Sequence, residues 1–165
     1  MTVTQGKRTR MSPEARRDQL IEYGLEMVAQ RPLEQVSIEA IAEAAGVSRA
    51  LLFHYFESKQ DFHVAIAQTQ SERMLACTAP DESLGDPLAI LQSSMSAFVD
   101  YVSVNRSAYM TLIRGASSVD PAMRAVFDST RSVMAQRVLD HLPALGIAVT
   151  PTIEITVRAV SYTHL

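Results

Sequence analysis

Apolar positions recur along most of this chain at the three- and four-residue spacing of amphipathic helices, and no stretch alternates with period two long enough to predict a strand. Leu20, Ile21, Gly24, Leu25 and Val28 share one helical face. Ser12 as N-cap, Pro13 at the first helical position and Glu14 in the first turn open that helix, which is expected to run to about Arg31, before Pro32. Ile38, Ile41, Ala42 and Ala45 repeat at i, i+3, i+4 and i+7 behind a Ser37 cap. Glu39 then lies near the positive end of this second helix. Gly46 accommodates the positive φ that a tight interhelical turn needs, Val47 tucks inward, and Ser48 caps a short third helix over residues 49–56. Leu52 and Phe56 face the core, while Arg49, Ala50, Phe53 and His54 lie on a different face. Phe53 either reaches an external partner or wedges against the first or fourth helix; the spacing leaves both open.

A fourth helix starts at Ser58, with Asp61 reaching back in a capping-box-like arrangement, and is expected to end near Ala76. Residues 78–87 hold two prolines, a glycine and three acids and read as a connection. Helices are expected again over 87–104, from Ser107 to about Ala116, over 121–141, and from about Thr150 onward. The chain is therefore predicted to be all-α, with an N-terminal unit over 12–76 built around a helix-turn-helix at 37–56, and a helical second unit over 85–165. The last helix stops at Leu165 without a C-cap. The expectation is that native sequence ends near Ala159, that one or more C-terminal helices are missing and that the second unit is incomplete.

Composition changes this picture little. A hydrophobic fraction of 47% supports a packed core, and 20% charged residues argues against disorder. No uncharged run reaches the roughly 20 residues of a membrane span, and no apolar run follows the basic N-terminus as in a secretory signal. A cytoplasmic protein with no membrane partner is expected. Cys77 is the single cysteine, which excludes an internal disulfide; it is expected to be a small buried hydrophobe. The net charge of −3 opposes a nucleic-acid partner at first sight, but its distribution does not. Residues 1–17 carry Lys7, Arg8, Arg10, Arg16 and Arg17 against Glu14, a local charge of +4, whereas residues 61–165 carry −3.

Catalytic motifs are missing from the sequence: no HExxH, GxSxG, phosphate loop or CxxC pair occurs. His63 and His141 lie outside any carboxylate–histidine spacing that suggests a site. No enzyme activity, cofactor or metal is expected.

Ala45-Gly46-Val47-Ser48-Arg49-Ala50-Leu51-Leu52-Phe53-His54-Tyr55-Phe56, followed by Ser58-Lys59, resembles the helix-turn-helix of the tetracycline-repressor (TetR) family of bacterial transcription regulators. With the preceding helix the likeness covers about 60 residues; the remainder matches in helix number and length. The resemblance implies a ligand-responsive repressor that reads a palindromic double-stranded DNA operator as a homodimer, with half-sites about 34–36 Å apart. It implies that Ser37 and Ser48 donate to phosphates beside their helix-start N–H groups, and that Arg49 reaches a guanine or a phosphate. Ala50 would permit close approach to the bases, and Leu51 would contact a thymine methyl. His54 and Tyr55 would grip backbone or base edges, and Lys59 would neutralise a phosphate. Phe53 departs from the commoner tyrosine and lacks its hydroxyl. The dimer contact in this family is a bundle of the last two helices. A small, often apolar effector would bind among the central helices, with Met95, Phe98, Tyr101, Tyr109, Leu112, Met123 and Phe127 as candidate lining residues; the same stripe also reads as plain core. An all-α ligand-binding or protein-interaction module without DNA binding is the alternative.

Overall fold

The computed structural model describes residues 11–116 and 120–163. Among these every regular element is helical: α1 Pro13–Val28, α2 Ile38–Ala45, α3 Arg49–Tyr55, α4 Lys59–Cys77, α5 Pro87–Val104, α6 Arg106–Ala116, α7 Pro121–His141 and α8 Pro151–Thr163. Three short 3-10 turns, Leu33–Gln35, Glu82–Leu84 and Pro143–Leu145, join them. The basic residues Lys7, Arg8 and Arg10, and residues 117–119 where the sixth helix was expected to break, lie outside the described residues.

Helix starts follow local chemistry. Ser12, Ser37, Ser48, Ser58, Asp86 and Asp120 are N-caps whose side chains accept first-turn N–H groups. Pro13, Pro87 and Pro121 occupy first-turn positions, where no N–H is needed. Asp61 reaches one residue further back than a capping box requires: its Oδ2 accepts from the Glu57 N–H at 3.0 Å, while Ser58 Oγ accepts from the Asp61 N–H at 3.0 Å.

The end of α1 is a correction. The helix stops at Val28, short of Arg31. Gln30 and Arg31 both donate to the Met27 carbonyl at 3.0 Å, closing a tight turn. The chain then extends through Pro32 and folds over in the first 3-10 turn, which sends Leu33 and Val36 into the core at 6% and 0% exposure. Burial of those two side chains, a tertiary effect, sets the boundary.

Among the described residues a continuous core joins the N-terminal helices to parts of α6 and α7. Leu20, Ile21 and Val28 of α1, Ile41 of α2, Leu52 of α3 and Phe62 and Ile66 of α4 join Leu112 of α6 and Met123 of α7 in a single buried cluster. The Phe56 and Phe62 rings meet edge to face with centroids 4.8 Å apart. Gly24 makes the α1–α4 approach possible, because a Cβ there would lie 2.5 Å from Ile66 Cδ1 and 2.9 Å from Phe62 Cζ. Helix α4 is the central strut, packed against α1, α5 and α7, while α8 packs on α7. Cys77, expected to be buried, is exposed at the last position of α4. The helix's inward face ends near Met74 and Thr78, and Cys77 projects from the other side.

Candidate DNA-binding interface

The turn between α2 and α3 is a Schellman motif. Gly46 adopts φ 63° and ψ 36°, its N–H bonds the Glu43 carbonyl at 3.1 Å, and the Val47 N–H bonds the Ala42 carbonyl at 2.9 Å. Val47 packs against the core, as its position predicts. Leu52 at 0% and Phe56 at 1% exposure anchor α3 from beneath. Arg17 of α1 stacks over the Phe56 ring at 5.1 Å and fixes that floor from the other side. The opposite face of α3 is thereby turned outward: Arg49, Ala50, Phe53 and His54 are exposed, Leu51 and Tyr55 half-buried. Phe53 is 45% exposed, so it points out and does not wedge against α1 or α4.

Of the side chains expected to touch DNA, Ser37, Ser48, Arg49, His54, Tyr55 and Lys59 each have a partner within the chain. Ser37 Oγ accepts from the Ala40 N–H at 3.1 Å and Ser48 Oγ from the Leu51 N–H at 3.2 Å. Capping uses an acceptor lone pair and leaves each hydroxyl its proton to donate, which at Ser37 goes to the Glu39 carboxylate. Arg49 pairs with Glu39 of α2 across 2.8 Å. The Glu39 backbone N–H holds the Glu39 carboxyl below its ordinary range; burial opposes it, and Arg49, the Ser37 hydroxyl and Lys59 each add a smaller lowering. Both partners are more than half exposed, so the bridge adds little stability and is open to exchange for a phosphate. Lys59 Nζ donates to the Glu34 carbonyl at 2.9 Å, which ties the start of α4 to the first 3-10 turn and leaves two ammonium protons. The His54 and Tyr55 rings meet at 5.2 Å, nearly perpendicular. The partners Glu39, through its carboxylate, and Glu34, through its backbone carbonyl, were not read from the sequence. Glu39 was read only as a favourable first-turn acid, and its pairing with Arg49 depends on the angle between α2 and α3.

Behind the interface His63 is buried at 6% exposure, with Nε2 donating to the Val36 carbonyl at 3.0 Å. Burial pushes the imidazole below its ordinary value of 6.5. His141, isolated in sequence, meets Glu82 at 3.2 Å in the folded chain. No group of three or more His, Cys, Asp and Glu side chains converges among the described residues.

The residues proposed for an effector site do not form one cavity. Met95 and Phe98 line a cavity of about 180 Å³ between the end of α4, α5 and α7. Tyr109, Leu112 and Phe127 line a separate space of about 10 Å³, no larger than one water. Burial there pushes the Tyr109 phenol up to about 12. Met123 belongs to the shared core and borders a cleft beside Lys59, and the Tyr101 hydroxyl donates to the Gln70 carbonyl at 3.1 Å. The 180 Å³ cavity also takes Leu91, Ser94, Met134 and Arg137. Their one advance signal was an arginine within the otherwise apolar run of α7.

A capped, outward-facing helix behind a Schellman turn, with eight α-helices and no strand among the described residues, defines an all-α helix-turn-helix protein by class. A family model described as "Bacterial regulatory proteins, tetR family" matches residues 20–66, and one described as "Tetracyclin repressor-like, C-terminal domain" matches residues 87–161. A TetR-family transcriptional regulator from Streptomyces coelicolor of known crystal structure is 31% identical and superposes with a TM-score of 0.76, over 92% of this chain and 68% of that one. The HTH-type transcriptional regulator BetI of Pseudomonas paraeruginosa is 32% identical over 134 residues, 76% of this chain and 62% of the relative. The HTH-type transcriptional activator FasR of Mycolicibacterium smegmatis is 23% identical over 117 residues, 70% of this chain and 53% of the relative. The chain thus spans between about half and two thirds of these two relatives, at 53% and 62% of their lengths. The chain belongs to the TetR family of transcriptional regulators, and no helix among its described residues is long and apolar enough to cross a membrane.

Proposed function

We propose that the protein is a cytoplasmic, ligand-responsive transcriptional repressor that binds a palindromic operator as a homodimer. The observation that carries this reading is the outward face of α3, exposed at Arg49, Ala50, Phe53 and His54 and held from behind by fully buried Leu52 and Phe56. A helix presented in this way fits the major groove, with the capping serines and Lys59 placed for flanking phosphates. Arg49 exchanges Glu39 for DNA on binding. Leu51 and Ala50 supply apolar contact to thymine methyls, and His54 and Tyr55 grip base edges or backbone. Residues 12–76 act as the reading unit and residues 85–165 as the regulatory and dimerising unit. A small effector in the regulatory unit shifts the population between DNA-competent and incompetent arrangements by its differential affinity for the two.

A gel-shift titration on the palindromic segment upstream of the native gene, with the full-length gene product, tests this. Specific binding at low salt is expected, weakening steeply as salt rises. Lys59→Gln should weaken binding to all sequences alike and reduce the salt slope by about one. No shift at low salt would overturn the proposal.

A further inference from the structure

The helix-turn-helix is poor in positive charge for a segment that meets DNA. Residues 37–60 carry Arg49 and Lys59 against Glu39, Glu43 and Glu57, a net charge of −1. Arg49 is the only arginine or lysine in α3. That cation is already neutralised inside the chain, because its Nη2 lies 2.8 Å from Glu39 Oε1. The same carboxylate accepts from the Ser37 hydroxyl and is stabilised by the charge of Lys59. Ser37, Arg49 and Lys59 are three of the groups placed for phosphate contact, and all three converge on this one acid of α2. Carboxylate and phosphate are interchangeable partners for such donors, both being anionic acceptors. Glu39 has no comparable part in holding the fold: its side chain and that of Arg49 are both more than half exposed, and such a pair adds little stability.

A phosphate that approaches Arg49 meets a carboxylate at the same place, and two anions there repel. Exchanging Glu39 for a phosphate also gives the guanidinium nothing it lacks, one anionic acceptor replacing another. A guanine edge differs on both counts. It is neutral, so it does not repel Glu39, and its O6 and N7 engage two donors of the planar fork at once. We infer that Glu39 is a specificity-determining residue: it stands in for a phosphate at Ser37, Arg49 and Lys59, suppresses binding to DNA of arbitrary sequence, and releases Arg49 to a base edge. Discrimination then comes from a repulsive group aimed at the wrong partner as well as from attraction to the right one. This rests on the DNA-reading role proposed above and adds to it an acid whose own contribution to affinity is unfavourable.

Fluorescence-anisotropy titrations of the full-length gene product test it, with two labelled duplexes of equal length: the palindromic segment upstream of the native gene and a random sequence. Glu39→Gln should tighten binding to the random duplex by about tenfold at 50 mM salt and steepen its salt slope by about one, so that the gain shrinks about fourfold by 200 mM. The palindromic segment should gain about threefold or less, and the ratio between the two duplexes should fall accordingly. Glu39→Asp keeps the charge and should keep most of the discrimination. In an Arg49→Met background most of the effect of Glu39→Gln should vanish, because the cation it frees is gone. Thermal midpoints of Glu39→Gln and wild type should agree, which separates this role from a structural one. Unchanged or weaker binding of the random duplex by Glu39→Gln, an equal gain on both duplexes, or a full effect of Glu39→Gln without Arg49 would each overturn the inference. A wild type that prefers the palindromic segment, with a variant that keeps that preference in full, removes this inference alone. A wild type that binds neither duplex at low salt removes the DNA-reading role and this inference with it.

Discussion

At the scale of single residues, the interface is built from groups that already have partners, and His63 shows what the one beneath it contributes. Its Nε2 must be the protonated nitrogen, since the Val36 carbonyl can only accept. Burial is the main force lowering its pKa; Lys59 adds to that, while the Val36 carbonyl and the acids Glu34 and Asp120 oppose it. In the unfolded chain the imidazole titrates near its ordinary value of 6.5. Between that value and the lower folded one, the unfolded state binds more protons than the folded state, so stability falls as pH falls. Above 6.5 the contribution is flat, and below the folded pKa it flattens again. One such group changes stability by at most about 1.4 kcal/mol per pH unit. Melting curves from pH 7.5 to 5 should show the midpoint dropping below pH 6.5, and His63→Gln, which can still donate to Val36, should drop less. A variant whose pH profile parallels the wild type would show that other groups cause the loss.

At the scale of elements, the α2–α3 turn depends on one backbone conformation. Nothing lies within 4 Å of a Cβ built on Gly46, so any cost of a side chain there is the cost of positive φ itself. Gly46→Asn should therefore lose little and Gly46→Val about 1–3 kcal/mol, read from urea midpoints, because a β-branched residue resists the left-handed region. Equal midpoints for the two variants would mean that the turn has changed conformation. The glycine, the four serine caps and the buried side of α3 were legible in the sequence because each depends on chemistry within four residues, whereas the caps Asp86 and Asp120 were not read there. The end of α1 was not, because Leu33 and Val36 set it through burial against distant helices. The partner of Arg49 was equally hidden: Glu39 lies ten residues away, and only the packing of α2 on α3 brings it to 2.8 Å. The candidate effector stripe was ambiguous for a third reason. Helical spacing marked Tyr109, Leu112 and Met123 as inward-facing, which they are at 7%, 0% and 1% exposure, but periodicity does not distinguish a filled interior from a cavity wall.

At the scale of the whole molecule, the N-terminal helices share part of their interior with α6 and α7. Leu112 of α6 and Met123 of α7 sit in the same buried cluster as Phe62 and Ile66, directly behind the helix-turn-helix. Ser107 at the start of α6 donates to the Ala29 carbonyl just past the end of α1 at 2.5 Å, and Arg73 of α4 pairs with Glu22 of α1. A displacement of α6 or α7 therefore reaches α1 and α4 through packed side chains, and those two helices hold α2 and α3 in place. The shared core also dictates how the chain unfolds. Leu112→Ala removes a fully buried side chain at that junction and should cost about 2–5 kcal/mol. Because the cavity opens between the halves, both should be destabilised together. Amide exchange in α3 and in α7 should rise in parallel, and helical signal should be lost in one transition at a lower temperature. If α7 exchanged faster in the variant while α3 kept its wild-type protection, the halves would be energetically separate.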